Sequence, residues 1–359
     1  MRVATYNVEN LFSRPVVLNM QNNDDAAKIL AKIAEFTGLL TLKSYAAKKK
    51  RIEALYADIG QYIFINIRSS EIGRYVITDN QGLIAKGRED WDGFVDLKRE
   101  RFSDDTIKFT GKVIRTVKAD VQCLVEVESA GTLTRFNADI LGSLFGDRIV
   151  IDGNDPRGID IALAARGSIP IITAKTNIFA RDKEGTIFSR DCLEVELAIP
   201  GGRSLHVLVN HFKAKDRKEE ESNHKRERQA IEVSRILRNR YDLARDLVIV
   251  AGDLNDEPAS KPLVPLFATP KLHNALDLAG VPPKDRWPYF YGARKQYNTI
   301  DYMLVSDALR PLVKAAGLER RGMFNLAKLT NGAQSSFKGI DHWKLAASDH
   351  AAVWVDFNL

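Results

Sequence analysis

The sequence predicts an α/β fold, and three observations carry that expectation. Aliphatic, β-branched runs long enough for buried strands recur along the chain, as at 121–125, 205–209 and 247–251. Between several of them lie stretches with apolar residues at helical spacing, such as 104–117 and 216–240. Nearly every strand-like run breaks off into polar or ionisable residues. The chain has 359 residues, 45% hydrophobic and 28% charged, the composition of an ordinary globular protein with a sizeable core. Length alone permits two domains, but sheet-rich α/β folds often run to that size as one, so length does not decide.

The first element, 2–12, reads as a short strand that opens at Asn7 into Glu9 and Asn10. From Ser13 to Lys118 the pattern changes. Two amphipathic helices are expected at 26–40 and 48–60, then strand-like runs in YIFINIR, RYVITD and GLIAKGR, with a turn at 79–82. Basic residues outnumber acidic ones here, and the Lys48–Arg51 run suits either phosphate contact or a solvated helix face. A helix at 104–117 leads to DVQCLVEVES, a strand buried on both faces that ends in Glu126 and Glu128. A carboxylate at such an end costs solvation free energy unless a cation or donor meets it, which makes Glu126 a candidate ligand for a hard divalent ion.

Downstream, a helix at 129–142 precedes NDPRGIDIALAAR, which sets Arg157 and Asp160 beside one rim. Arg157 can clamp a phosphate with its planar fork or pair with Asp155 or Asp160. Strands at 169–179 and 191–199 follow. The latter forms a hairpin with 204–210 through the 200–202 turn, and ends in Asn210, His211, Lys213 and Lys215, a composition suited to anions. The helix 216–240 reads as charged and solvated in its KEEESNHKRERQ part.

VIVAGDLNDEP then places Asp253 and Asn255 two residues apart beyond a buried strand, on one face; an Asx turn is the bland alternative. The stretch after Pro258 is loop-rich. Its Trp287, Tyr289, Phe290 and Tyr291, beside Arg286, Arg294 and Lys295, suit base stacking or plugging of a core. A strand at 297–306 encloses Asp301, which needs a partner if buried, and the final strand, 347–357, begins with Asp349 and His350 and supplies an imidazole for it. Six strand ends with such chemistry are more than chance supplies.

The two cysteines, Cys123 and Cys192, lie in strand-like runs and are expected as buried thiols. No apolar run reaches the roughly 20 residues of a membrane span, and the first residues lack a secretory pattern, so a cytoplasmic protein is expected. A net charge of +6 and a pI near 9.1 favour anionic partners, nucleic acid among them.

In order, TYNVENLF, LVEVES, DPRGIDIALAAR, NHFKAK, AGDLNDEP, IDYMLVS and SDHAAVWV resemble the motifs of the endonuclease/exonuclease/phosphatase superfamily, the group that includes DNase I. The resemblance covers 1–12 and about 119–359. It implies a DNase I-like two-sheet α/β sandwich with its site at one end of the sheets. It also implies Mg²⁺, with Mn²⁺ as a substitute, bound by Glu126 with Asn7, Glu9 and Asp349. Asp253 and Asn255 would orient the attacking water and a phosphate oxygen. His350, paired with Asp301, would act as base or phosphate stabiliser, and His211 would contact the phosphate or assist the leaving group. Arg157 is expected among the catalytic residues and Asn210, Lys213 and Lys215 among those that bind substrate.

This sequence departs from the family pattern twice. Glu126 follows Asn7 by 119 positions, so residues 13–105 are expected to be an insertion within a single catalytic domain spanning 1–359. Val125 stands where the family more often has Gln. The expected function is a Mg²⁺-dependent phosphodiester hydrolase, a nuclease acting on DNA or RNA. The alternatives are a phosphatase or phosphodiesterase for a small or lipid-linked phosphate, and a non-catalytic nucleic-acid-binding module with a relic site.

Overall fold

Two six-stranded sheets form the frame of the site in the computed structural model, which describes residues 1–11, 15–19, 23–71, 77–78, 82–98, 105–155 and 157–359. The first sheet has the order Val313–Glu319, Ala352–Phe357, Arg2–Leu11, Val121–Val127, Asp160–Ala165, Asp147–Ile151. The second runs Leu272–Asn274, Asp301–Ser306, Leu247–Asp253, Arg203–His211, Cys192–Ile199, Ile171–Lys175. Strand alternation gives each sheet two apolar faces. Val3, Cys123, Val125 and Leu163 meet Val195, Val209, Ile249 and Val305 in the layer between the sheets. Tyr6, Leu124 and Ala162 pack outward on the helices Asp105–Val117 and Ala130–Asp139. Leu208, Val250 and Leu304 pack outward on Glu219–Arg240. The result is the two-sheet α/β sandwich that the motifs imply, and both cysteines are buried and free.

The pairing pattern explains why functional groups gather at one end. Each sheet has a parallel pair at its centre, Arg2–Leu11 with Val121–Val127 and Arg203–His211 with Leu247–Asp253, so both C-terminal ends of each pair point the same way. Asp301 opens the antiparallel neighbour of Leu247–Asp253, and Asp349 and His350 precede the antiparallel neighbour of Arg2–Leu11. Strand starts are thus brought to the same end as strand finishes.

The chain divides into two compact units, Met1–Phe12 with Phe102–Leu359, and Ser13–Arg101. In the second, helices Asn23–Leu39 and Lys49–Ile59 pack Phe36, Ile52 and Leu55 under a two-stranded ribbon of Ile63–Ser70 and Trp91–Leu97. Several expectations shift. The strand Trp91–Leu97 was not anticipated, because Gly93 stands at an inward position of its alternation. GLIAKGR keeps only the two-residue strand Gly82–Leu83; of RYVITD, Ile77–Thr78 is a strand and the rest lies outside the described residues, as does most of the turn at 79–82. The run 169–179 shortens to Ile171–Lys175, and the final strand begins at Ala352. Among the described residues, no helix is long and apolar enough to cross a membrane.

Candidate active site

Backbone irregularities turn the key side chains out of the strands. Gly252 has φ +129, and a Cβ there would lie 1.9 Å from the Asn210 carbonyl oxygen, so only glycine lets these two strands approach as they do. Immediately after it, Asp253 is buried, and its Oδ1 accepts the Asn255 N–H at 2.8 Å in an Asx turn, with Asn255 at φ 55. Glu126 has φ 70 and sits in a bulge, where pairing with both neighbouring strands shifts register; every other residue of its strand is buried. Glu9, at φ 47, occupies the matching irregularity of the first strand, its N–H held by Asn7 Oδ1 at 3.0 Å. Three non-glycine residues in the left-handed region at one place are stored strain of the kind found at working sites.

A hydrogen bond joins the two sheets at this point: Asn7 Nδ2 donates to Asp253 Oδ2 at 3.1 Å. His211 lies beside Asp253 in register, with Nε2 3.9 Å from Asp253 Oδ2 and 4.0 Å from Glu126 Oε1. Burial, and then the charge of Arg190, push its pKa well below the usual value, so the imidazole is neutral. His350 behaves oppositely. Burial disfavours its charge, but Asp301, Asp349 and Asp253 outweigh burial and hold the imidazolium, with Nδ1 2.7 Å from Asp301 Oδ2. Its Nε2 faces Asp349 Oδ1 at 3.8 Å and Asp253 Oδ2 at 3.9 Å. Asp301 is fully buried behind it.

These groups open on a cavity of about 740 Å³. Asn7, Glu9, Glu126 and Asp349 line it, and Glu9 Oε2 accepts the Asp349 N–H at 2.9 Å. Burial, followed by the neighbouring Asp349 charge, raises Glu9 to about 7 and also raises Glu126. Asp253 rises to about 7, through burial and then its cross-strand neighbour Asp301. Among the described residues, no lysine or arginine forms an ion pair with Glu9, Glu126 or Asp349; the nearest imidazoles are His211, 4.0 Å from Glu126, and His350, 3.8 Å from Asp349. Oxygen donors that repel one another and have no lysine or arginine to pair with suit a hard divalent cation. A second set of donor atoms, on Asp253, Asp301 and His350, lies within 4.8 Å of one another. Its imidazole Nδ1 is already engaged with Asp301, so it suits proton handling better than metal coordination.

Of the residues expected from sequence, the structure brings Asn7, Glu9, Glu126, His211, Lys215, Asp253, Asn255, Asp349 and His350 to the cavity, with Asp301 behind His350. Three others are placed elsewhere. Arg157 spends its fork on Asp155, through Nε at 3.0 Å and Nη2 at 2.8 Å, and its side chain is 64% exposed. Asn210 precedes His211 on a strand and therefore faces the other way; it is buried, with its amide donating to the Leu208 carbonyl at 3.1 Å. Lys213 Nζ pairs with Asp216 at 2.6 Å; Asp216 lines the cavity and Lys213 does not. Glu128 accepts a bond from Thr132 near the start of the following helix.

Two buried arginines that brace the site were not anticipated. Arg190 Nη2 donates to the Phe212 carbonyl at 2.7 Å and Nη1 to Asp155 at 3.4 Å, and its charge reaches Asp253 and Glu126. Arg226 Nε donates to Asp256 Oδ2 at 3.0 Å and Nη1 to the Lys213 carbonyl at 2.9 Å, bracing the loop after His211 against the turn after Asn255. A signal for Arg226 exists: the buried stripe Ala230, Val233 and Leu237 extends back by helical spacing onto it.

Residues 79–319 match the model of a family described as Endonuclease/Exonuclease/phosphatase family. That span holds Glu126, His211, Asp253, Asn255 and Asp301; Asn7, Glu9, Asp349 and His350 lie outside it and join the site through the fold. The crystal structure of D. rerio TDP2 complexed with single strand DNA product is similar, with a TM-score of 0.51 at 14% identity, over 71% of this chain and 92% of that one. An endonuclease/exonuclease/phosphatase family protein from Bacteroides thetaiotaomicron gives a TM-score of 0.51 at 14% identity, over 70% of this chain and 88% of that one. At those identities the likeness is one of fold. Among curated proteins, none matches the chain in sequence.

Proposed function

This chain belongs to the endonuclease/exonuclease/phosphatase family, and on that premise we propose that it is a divalent-metal-dependent phosphodiesterase whose substrate is nucleic acid. Membership makes it a hydrolase of phosphoester bonds; the metal, the diester and the nucleic acid are our reading. The observation that carries it is the meeting, over one cavity, of three carboxylates without a lysine or arginine partner and two buried histidines, one beside Asp253 and one bonded to Asp301.

Glu126, Asn7, Glu9 and Asp349 would hold Mg²⁺, or Mn²⁺ in its place. When bound, the ion supplies charge neutralisation at a phosphate oxygen. Asp253, fixed by Asn7 and by the Asn255 N–H, accepts a hydrogen bond from the attacking water and sets its direction. His350, oriented by Asp301, presents Nε2–H to a phosphate oxygen, where positive charge stabilises what develops in the transition state. Neutral His211 contributes a hydrogen bond to the same group. Arg190, Lys213 and Asn210 hold the walls and do not touch substrate. Lys215, Arg217 and Arg294 line the cavity and favour a polyanion. The Ser13–Arg101 unit is read as an insertion within one catalytic domain, and its removal is expected to alter substrate preference more than the rate on a small diester.

The test is hydrolysis of plasmid, single-stranded DNA, RNA and bis(p-nitrophenyl) phosphate by the purified protein, with Mg²⁺, with Mn²⁺ and with EDTA. Single-stranded DNA is included because the fold is shared with the TDP2 structure that holds it as product. Cleavage of nucleic acid that stops in EDTA and returns with Mg²⁺ is expected; cleavage that persists in chelator contradicts the metal assignment.

A further inference from the structure

One wall of the cavity carries more than hydrolysis of a phosphoester requires. In the 289–298 hairpin, Tyr289 pairs with Asn298, Phe290 with Tyr297 and Tyr291 with Gln296. Alternation therefore puts Tyr289, Tyr291, Gln296 and Asn298 on one face and Phe290 and Tyr297 on the other. The second face is packing: the Phe290 and Trp287 rings each lie 4.9 Å from the Tyr297 ring, and Trp287 is buried against Met323 and Leu326. The first face lines the cavity.

The two tyrosines of that face are not equivalent. Tyr289 is committed, its ring 4.8 Å from the His350 ring at 36°. Tyr291 is 41% exposed, and among the described residues its ring has no aromatic or hydrogen-bonding partner. It stands two residues beyond Tyr289 on the same face, about 7 Å along the strand. The hairpin is also fixed rigidly to the chemistry. Ala351 N–H donates to the Pro288 carbonyl at 2.8 Å, Tyr289 bridges to His350, and Asn298 Nδ2 donates to Glu257 Oε1 at 2.9 Å, two residues past Asn255. A free ring held at a set distance from the reacting centre has lost its ordering cost before substrate arrives.

We propose that Tyr291 is a stacking platform for the base of the nucleotide next to the scissile phosphate, with Arg294 of the same hairpin meeting the backbone. The site then selects a strand whose base is free of its own stack: single-stranded DNA or RNA, or a frayed end. The proposal rests on the phosphodiesterase reading above and deepens it, because every aromatic of the hairpin except Tyr291 has a structural contact and Tyr291 faces the cavity.

Three oligonucleotides separate the outcomes: a short single strand of thymidylate, the same strand with abasic residues throughout, and the thymidylate strand in duplex. For the wild-type protein, kcat/KM on the base-bearing single strand is expected to exceed that on the abasic strand by on the order of tenfold, carried mostly by KM, and to exceed that on the duplex. Tyr291→Ala should collapse the base-to-abasic ratio to about one, and Tyr291→Trp should restore it. A ratio unchanged in Tyr291→Ala overturns the proposal, as does a wild-type ratio of one. Anisotropy of the same labelled strands in EDTA reads the same discrimination in binding without turnover. Absence of cleavage with discrimination intact would therefore count against the phosphodiesterase reading alone, and loss of discrimination against Tyr291 alone.

Discussion

The two sheets contribute opposite kinds of chemistry to the cavity. The first supplies Asn7, Glu9 and Glu126 from bulged strands, with Asp349 just before another, and these acids lack a lysine or arginine partner. The second supplies His211, Asp253, Asn255 and Asp301, of which Asp253 is held by Asn7 and the Asn255 N–H, Asn255 by the Phe212 carbonyl and Asp301 by His350. One half of the site is thus incomplete without a cation, while the other is assembled by the fold itself. Removing a residue from each half should therefore fail in distinguishable ways.

The largest effects test that division. Asp253→Ala and His350→Ala should each reduce kcat on a phosphodiester by about 10²- to 10⁴-fold, measured with saturating Mg²⁺. His350→Ala should nevertheless retain the Mg²⁺-dependent rise in thermal midpoint of the wild type. Glu126→Ala should lose both the activity and that rise, and equal Mg²⁺ stabilisation in Glu126→Ala and wild type would dissolve the distinction between the halves.

Next come the supports. Gly252→Ala forces a Cβ against the Asn210 carbonyl at a φ that alanine avoids, and should cost about 3 kcal/mol or more in urea unfolding. Arg190→Met removes the buried donor to the Phe212 carbonyl and the buried one of the two guanidinium partners of Asp155, at about 3 kcal/mol, whereas Arg157→Ala, at the exposed end of the same carboxylate, should cost less than about 1 kcal/mol. Equal costs for the two arginines would show that burial does not set their roles.

The smallest effect is a pH dependence. Burial raises Asp160 to about 6, while its N–H partner at Gly153 pulls the other way. Between the unfolded value near 3.9 and about 6, the folded state keeps a proton that the unfolded chain has lost, so this group makes stability fall as pH rises through that window. Asp160→Asn keeps an acceptor for Gly153 and should flatten the decline in unfolding free energy between pH 4 and 6.5. An unchanged slope would mean that Asp160 ionises normally in the fold.

Much of the candidate site was legible because polar residues directly followed aliphatic strands. Asp253 and His211 needed only that pattern and a sense of which ends converge, while Asp301 was read from the cost of burying an aspartate without a partner. Asn210 was misassigned although period-two alternation already excluded it once His211 faced the cavity. Glu126 was expected at a strand end and lies instead in a bulge, since sequence carries no mark for a non-glycine residue in the left-handed region. Arg157 was preferred to Arg190 because a turn motif advertises exposure, whereas a buried arginine before a strand has no periodic signature. In the Ser13–Arg101 unit, the helices followed from their spacing, but Gly93 concealed one strand of the ribbon.

The central claim is that the carboxylates of the first sheet, and not the cluster that His350 forms with Asp253 and Asp301 of the second, seat the cation. Anomalous scattering from a crystal grown with Mn²⁺ tests it directly. The account predicts a single strong peak within coordination distance of the Glu126 carboxylate, with Asn7, Glu9 or Asp349 completing the shell. A peak on Asp253, Asp301 and His350 instead, or none at Glu126 in crystals of active protein, would contradict it.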